Sequence, residues 1–253
     1  MHPALALLVP LVAVLAGVAL APSRAAALVL LTEENPPFNY ADKGRLAGSG
    51  ADVVVEMAKR ARLDATTEIL PWDAAFVRAQ AVRETCLFST ARLPNRERLF
   101  TWVGPIAYDV WVIYGRADFP GSVGTLADLK PYRVGGADRD AKVEFLHDNA
   151  LTNVRAIADD RMNPARLFLP AGHPDHIDLW IAGLFTAREL AKAAKVADLV
   201  KLVYVVRELP LYLACSPTTS PATIKALNAA LESVKADGTL SRISGEYERR
   251  FAQ

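Results

Sequence analysis

The stretch CLFSTARLPNRERLFTWVGPI, residues 86–106, decides the fold because a buried strand ends in it and a polar segment follows at once. Its apolar start is typical of the end of a core strand. Pro94 can begin a helical turn whose free N–H groups attract an anion, and arginine offers a bidentate fork to a carboxylate. The stretch indicates either an anion site or a solvated loop, and its candidate residues are Ser89, Thr90, Arg92, Arg96 and Arg98.

The composition is that of a globular protein with enough apolar residues for a large core. The chain has 253 residues, of which 52% are hydrophobic and 23% charged, and its net charge is +1. This length allows one large domain or two small ones. The balanced charge gives no sign of a nucleic-acid partner. No sequence motif predicts a cofactor, and we expect none.

The N-terminal residues predict an export signal. Residues 4–21 are all apolar or small, and PSRAAA follows with small residues placed for cleavage after Ala25 or Ala27. This pattern is typical of a secretory signal peptide over residues 1–27, which is removed on export. An uncleaved membrane anchor is the alternative, because the apolar run approaches the length that spans a bilayer.

The two cysteines, Cys86 and Cys215, allow two interpretations. In an exported protein they could form one disulfide. Both lie in apolar runs typical of strands, where two buried free thiols are equally reasonable. Two cysteines give no metal spacing, and His173 and His176 in GHPDH are typical of a polar turn. We therefore expect no metal.

The alternation of predicted strands and helices indicates an α/β fold with two lobes. Residues 28–88 alternate strand, helix, strand, helix, strand, which is the pattern of a parallel sheet. A second unit of this kind lies between two strands predicted at residues 109–116 and 209–215, which would connect the lobes. Ligands of such sheets bind beyond the carboxyl ends of the strands. The expected division is lobe 1, residues 28–108 plus 212–253, and an inserted lobe 2, residues 109–211.

Six segments carry a family resemblance by their order and spacing: LTEENPPFNY, GRLAGSGADVVVEMAKRA, PWDAAF, FSTARLPNRERLFTWVGPI, LPLYLACS and LNAALESVKADGTLSRISGEY. Together they resemble the polar amino acid-binding type of extracytoplasmic (periplasmic) solute-binding protein, the bacterial solute-binding protein family 3 of ABC importers. The resemblance implies a type II clamshell with two hinge crossings that closes on its solute. It implies a small polar carboxylate-bearing ligand and, as partner, an ABC transporter permease in the inner membrane. We expect a monomer.

The resemblance also assigns roles in the first lobe. It implies that Arg96 holds the ligand carboxylate, with help from the positions of Ser89 and Ala91. Because Ala91 has no hydroxyl, Thr90 or a backbone N–H is the expected substitute. Trp72 would line the ligand, and the alternative is a core residue at the start of a helix.

Further candidates lie near these residues. Asn35 stands where the family has an aromatic residue before PPF, while Phe38 is expected in the core. Glu33 and Glu34 follow a strand, and either can face the cleft as an acid, a base or a binding group. Arg92 is a second arginine candidate for the ligand.

The second lobe departs from the family pattern. A hydroxyl usually opens the helix after VG, and this chain has Asp140, whose plainer role is an N-cap. The family's carboxylate for a ligand ammonium falls at Gly183, or at Asp178 if the loose alignment shifts. A buried ammonium needs a charged partner. Either Asp140 replaces the lost charge, or the ligand is a carboxylate without an α-amino group.

Three functions follow from these patterns. The favoured one is a binding receptor without chemistry, because no catalytic motif stands out. The second is an enzyme on the same scaffold, similar to periplasmic cyclohexadienyl dehydratases, with Glu34 or Asp140 as general acid. The third is a sensory input domain. Catalysis predicts a titratable group with a shifted pKa in the cleft.

Overall fold

The computed structural model describes residues 27–251. The predicted signal peptide lies outside these residues, apart from Ala27. Every helix within the described range is too short or too polar to cross a membrane.

The strands, in chain order, are β1 Leu28–Thr32, β2 Tyr40–Asp42, β3 Arg45–Ala47, β4 Ala65–Ile69, β5 Thr85–Ala91, β6 Thr101–Arg116, β7 Val134–Ala137, β8 Val154–Ile157, β9 Leu179–Gly183 and β10 Val200–Cys215. The α-helices are α1 Ser49–Arg60, α2 Trp72–Ala81, α3 Ala141–Asp148, α4 Asn163–Arg166, α5 Leu184–Ala193, α6 Pro221–Ala236 and α7 Thr239–Phe251. Short 3₁₀ turns cover Pro94–Leu99, Leu126–Leu129, Asp160–Met162 and Ala197–Leu199.

One eight-stranded sheet runs through the described residues in the order β4-β1-β5-β10-β6-β9-β7-β8. The outer strands on each side are parallel to one another, while β6 and β10, 16 residues each, run antiparallel through the middle. We call β4, β1 and β5 with α1, α2, α6 and α7 the first half, and β9, β7 and β8 with α3, α4 and α5 the second half. This confirms the predicted two α/β units. The lobe bounds, 28–108 plus 212–253 and 109–211, remain a proposal.

Each half has its own apolar core, as the alternating patterns predict. In the first half, Leu30, Val54 and Leu231 are buried between the sheet and helices α1 and α6. In the second half, Ile181 packs with Leu146 on one face of the sheet. Burial of this kind stabilises a protein by about 25 cal/mol per Å² of apolar surface. These two cores hold each half together.

The strand that opens the first stretch is longer than predicted. It continues to Ala91, so Ser89, Thr90 and Ala91 are strand residues and not the start of a loop. The reason is that β10 pairs with this extension, with Leu211 opposite Ala91. The two central strands are also longer than predicted, because they hydrogen-bond to each other along most of their length.

The cysteine pair, which the sequence leaves open, forms a disulfide. Cys86 of β5 and Cys215 of β10 are directly opposite each other in the antiparallel ladder, and their sulfurs are bonded. The bond joins residues 129 positions apart. A covalent link across so long a loop lowers the entropy of the unfolded chain.

Removal of this bond should therefore destabilise the protein. We expect Cys86→Ala/Cys215→Ala to lower the free energy of unfolding by about 2–4 kcal/mol in a urea titration. Treatment of the wild type with dithiothreitol, which leaves both sulfur atoms in place, should lower it similarly. An unchanged urea midpoint in both experiments would contradict the prediction.

Candidate functional site

Arg96 lies at the junction between the two halves. It belongs to the 3₁₀ turn Pro94–Leu99, and its side chain is only 4% exposed. Its guanidinium carbon lies 5.1 Å from the ring centroid of Trp72 and 5.4 Å from that of Phe76. Its Nη2 donates to Oε1 of Glu144, on helix α3 of the second half, at 2.8 Å. A buried guanidinium without a partner is costly, so Glu144 stabilises this charge from across the junction.

Further contacts close the junction around this pair. Ala141 of α3 packs in one apolar cluster with Phe38 and Ala91 of the first half. The polar contacts are Asn95 Nδ2 to Glu144 Oε2 at 3.2 Å, Thr186 Oγ1 to Asn35 Oδ1 at 3.1 Å, Thr186 Oγ1 to the Pro36 carbonyl at 2.8 Å, and an ion pair between Arg139 and Asp73. The two halves are therefore in a closed arrangement.

A cavity of about 420 Å³ lies beside Arg96, between the halves. Its size is that of a small-molecule pocket. The first half contributes Trp72, Asp73, Phe76 and Arg96, and the second half contributes Asp138, Arg139, Val143, Glu144, His147 and Ala156. Aromatic rings and the Arg96–Glu144 ion pair thus border the same cavity.

A second group of charges surrounds Lys142, on the same helix as Glu144. Nζ of Lys142 lies 3.0 Å from Oδ2 of Asp140 and 5.7 Å from the ring centroid of Trp111. Burial by itself lowers the pKa of the Lys142 ammonium, but the carboxylates of Asp140, Asp109 and Asp160 outweigh it and leave the pKa raised. Lys142 therefore keeps its charge inside the junction.

Glu33 follows β1 and belongs to the same group of charges. Part of the surface of Glu33 stays accessible to solvent. Its pKa is nevertheless raised to about 8, mainly because protein atoms surround the carboxyl and secondly because the negative charge of Asp140 is near. Lys142 and Arg96 oppose this rise without cancelling it. Glu33 therefore carries its proton near neutral pH.

Asp109 occupies the space that a side chain at position 183 would need. It lies on β6 and is 4% exposed, and burial raises the pKa of its carboxyl. A Cβ at Gly183, on the neighbouring strand β9, would come within 2.7 Å of Oδ1 of Asp109. The position at which the resemblance places a family carboxylate is thus vacant here, and an acid from the adjacent strand lies beside it.

The three predicted residues of β5 have different surroundings. The hydroxyl of Ser89 is buried, has no hydrogen-bond partner among residues 27–251, and belongs to a residue with φ of 56°. Such strained positions often mark functional sites. Thr90 donates its hydroxyl to the carbonyl of Leu87 at 3.1 Å, and Ala91 contributes to the apolar junction cluster. Their binding roles stay predictions.

Two predicted residues lie away from the cavity. Arg92 forms a bidentate pair with Glu97 and lies over the rings of Trp102 and Tyr212. Its side chain is 39% exposed.

Glu34 is the second predicted residue that lies away from the cavity. It is exposed, and Oε1 accepts from the backbone N–H of Ala41 at 3.0 Å, so it stabilises its own turn. Its neighbour Glu33 is the acid that faces the junction.

The remaining candidates have mixed outcomes. Asp140 is confirmed as the N-cap of α3, because Oδ1 accepts from the N–H of Lys142 at 2.7 Å. Asn35 contacts Thr186 across the junction. Asp178 accepts from the N–H of Arg133 at 2.8 Å, which is a structural role within the second half.

Sequence reasoning missed Asp109, Lys142, Glu144 and Asp160. Asp109 had a signal, because it is the one charged residue in the run from Thr101 to Tyr114, and a lone acid in a core strand needs a reason. Lys142 and Glu144 had none, since charged residues on a short helix are usually solvated. Asp160 accepts from Asn163 and Trp180, contacts that depend on the tertiary fold.

Comparison with known proteins identifies the family and the fold. The family model for bacterial extracellular solute-binding proteins, family 3, matches residues 28–249. The search of curated proteins gave no match. The fold is that of type II periplasmic binding proteins, because the chain resembles solved structures of that type.

Three of these structures are informative. A histidine kinase sensor domain with similarity to periplasmic binding proteins is 14% identical, with TM-score 0.75 over 88% of this chain and 96% of that one. The arginine-, lysine-, histidine-binding protein ArtJ of Geobacillus stearothermophilus is 18% identical, with TM-score 0.70 over 90% and 100%. The ancestral amino acid-binding protein AncCDT-1, a precursor of cyclohexadienyl dehydratase, is 19% identical, with TM-score 0.68 over 87% and 94%. At these identities the likeness establishes the fold.

The close approach of Asp109 to Gly183 gives a first prediction for the site. Gly183→Ala should lower the free energy of unfolding by about 1–3 kcal/mol, because the new methyl group would push Asp109 away from its place. Urea denaturation measures the change. Gly172→Ala is the matched control, since a Cβ there meets nothing within 4 Å. Equal stabilities for the two variants would contradict the argument.

The raised pKa of Glu33 gives a pH prediction. The unfolded chain releases this proton near the usual pKa of 4.5, whereas the folded protein keeps it until about pH 8. The folded state then binds more protons than the unfolded state, so Glu33 makes stability fall as pH rises between these values.

Glu33→Gln should remove the part of the loss of stability with rising pH that Glu33 causes. We expect its melting temperature to fall less than that of the wild type from about pH 5 to about pH 8. Glu34→Gln, at the exposed neighbour, should follow the wild-type profile. Parallel profiles for wild type and Glu33→Gln would show that Glu33 ionises normally.

Proposed function

Since the chain belongs to the bacterial extracellular solute-binding proteins, family 3, we propose that it is a receptor that captures a small carboxylate-bearing solute between its halves for an ABC importer. The amino-acid-binding proteins among its structural neighbours support a binding role. In this proposal the solute binds in the cleft between lobe 1 and lobe 2. The solute is an amino acid or a related organic acid.

The observation that carries the proposal is the position of Arg96. Its guanidinium is buried, lies against two aromatic rings, and borders the cavity between the halves. A guanidinium in this setting binds a carboxylate with two parallel hydrogen bonds. The side chain is already fixed in place, so little entropy is lost when a solute binds.

Glu144 occupies the place that the solute carboxylate would take. It donates nothing and accepts from Arg96 and Asn95, and its side chain is 30% exposed at the rim of the cavity. A solute carboxylate can exchange with it, because Glu144 can turn into solvent at low cost. The internal pair then keeps the closed arrangement neutral when no solute is bound.

The cellular setting is part of the same proposal. A cleaved signal peptide over residues 1–27 would deliver the chain to the periplasm. The disulfide Cys86–Cys215 supports an oxidising compartment. A permease in the inner membrane would receive the solute from the monomeric receptor.

A dehydratase-like enzyme is the second candidate function. The specific observation in its favour is Glu33 at the junction, where burial raises the pKa of its carboxyl to about 8, so that it could donate a proton near neutral pH. Neither acid that the sequence suggested fits as well, because Glu34 lies in an exposed turn and Asp140 caps α3. The neighbour described as a precursor of cyclohexadienyl dehydratase supports the same alternative.

The proposal predicts that binding depends on Arg96. A thermal-shift screen against amino acids, acids without an amino group and cyclohexadienyl acids should find solutes, because binding to the folded state raises the melting temperature. Calorimetry with those solutes should give an affinity about a hundredfold lower or worse for Arg96→Ala. Glu144→Gln should bind about tenfold more tightly, because it removes the competing carboxylate.

Arg92→Ala is the matched control, since Arg92 pairs with Glu97 outside the cavity. It should bind like the wild type. Circular dichroism would verify folding, and Arg96→Lys keeps the charge without the fork if Arg96→Ala unfolds. Unchanged affinity in a folded Arg96 variant would contradict the proposal. Recovery of a cyclohexadienyl acid as an aromatic product would favour the enzyme instead.

A further inference from the structure

The side chain of Glu144 shows how the junction holds a carboxylate. Its Oε1 accepts from Nη2 of Arg96 at 2.8 Å, and its Oε2 accepts from Nδ2 of Asn95 at 3.2 Å. One donor is a guanidinium and the other is a side-chain amide, and both belong to the 3₁₀ turn Pro94–Leu99. Two consecutive residues of the first half therefore bind both oxygens of one carboxylate.

The turn that carries these two donors is fixed at both ends. At its start, the backbone N–H of Arg96 donates to the carbonyl of Leu93 at 2.9 Å. At its other end, the carbonyl of Glu97 accepts from Nε1 of Trp102 at 3.0 Å. The backbone of Asn95 between these contacts therefore has a defined position before a solute binds, which reduces the entropy that is lost on binding.

The hydroxyls of β5 are engaged or directed elsewhere. Thr90 donates its hydroxyl proton to the carbonyl of Leu87 at 3.1 Å. Oγ of Ser89 lies against the start of α1, because a Cβ at Gly50 would come within 2.3 Å of it. Ala91 has no hydroxyl and packs among apolar side chains. Within the described part of the chain, β5 therefore gives no side-chain hydrogen bond to the carboxylate at the junction.

Asn95 is placed to hold a carboxylate that can be exchanged. Its side chain is exposed, and its amide donates to Glu144. Asn95 does not itself line the cavity of about 420 Å³, but Glu144, which it holds, does. When Glu144 turns away, the amide loses this partner and becomes free for another carboxylate. Hydrogen bonds to a charged acceptor are stronger than those between neutral groups.

We propose that Asn95 is a second carboxylate-binding residue, which completes a two-donor site with Arg96. A solute carboxylate that replaces Glu144 accepts from Nη2 of Arg96 through one oxygen and from Nδ2 of Asn95 through the other. The amide takes the part that the family resemblance gives to a hydroxyl at Ala91. This inference rests on the proposed receptor function and adds a binding residue to its site.

Benzoate is a suitable probe for this site, because it carries a carboxylate on a small aromatic body. Glu144→Ala removes the internal carboxylate and leaves both donors without their acceptor. The melting temperature of this variant should rise with benzoate concentration, at an ionic strength held constant with sodium chloride, because benzoate binds the folded state. The concentration dependence gives an apparent dissociation constant.

Asn95→Ala in the Glu144→Ala background should weaken benzoate binding about tenfold, because the second donor is lost. Without benzoate, the melting temperatures of the two proteins should agree, since Asn95 has already lost its partner there. The matched control in the same background is Asn228→Ala. Nδ2 of Asn228 donates to the carbonyl of Ile224 within α6, so this variant should bind benzoate as Glu144→Ala does.

Three results would overturn the inference. If Asn95→Ala leaves the benzoate affinity unchanged while Arg96→Ala in the same background abolishes binding, Asn95 is not part of the site and the receptor function stands. If Arg96→Ala also leaves binding unchanged, or if benzoate does not bind at all, the carboxylate receptor and the inference both fail. If Glu144→Ala does not fold, Glu144→Gln, which keeps a neutral partner for Arg96, carries the same comparison.

Discussion

The closed arrangement depends on one electrostatic constraint, the need of a buried guanidinium for a carboxylate. Arg96 lies on the first half and cannot reach solvent, and Glu144 on the second half satisfies it at 2.8 Å. Breaking such a pair by removing one partner costs several kcal/mol, whereas exchanging one carboxylate for another costs little. A carboxylate at this place therefore stabilises the contact between the halves, together with the Thr186 and Arg139 contacts across the junction.

The same helix supplies both signs of charge at the junction. Lys142 and Glu144 lie two positions apart on α3, and one meets acids while the other meets Arg96. The sheet accommodates Asp109 on β6 because the neighbouring residue on β9 is Gly183, which has no side chain. A change at any of these positions alters the charge balance of the whole junction.

The fold could be predicted from the sequence because its signals are local. The alternation before residue 88 and the N-cap at Asp140 each depend on neighbouring residues, and each is confirmed. Strand ends were less predictable, since β5 continues to Ala91 only because β10 pairs with it. The junction charges depend on tertiary contacts: Glu33 and Glu34 are adjacent in sequence, and only the fold separates the partly buried acid from the exposed one.

The central position of β10 in the sheet has a consequence for the order of synthesis. Strand β5 is made early, but its neighbour β10 and the covering helices α6 and α7 come after the entire second half. A ribosome must therefore reach the C-terminal third before the first half can complete its sheet and join Cys86 to Cys215. Topologies with such distant pairings fold late. For a chain that is exported before it folds, as the proposed signal peptide implies, this order of synthesis delays the completion of the first half.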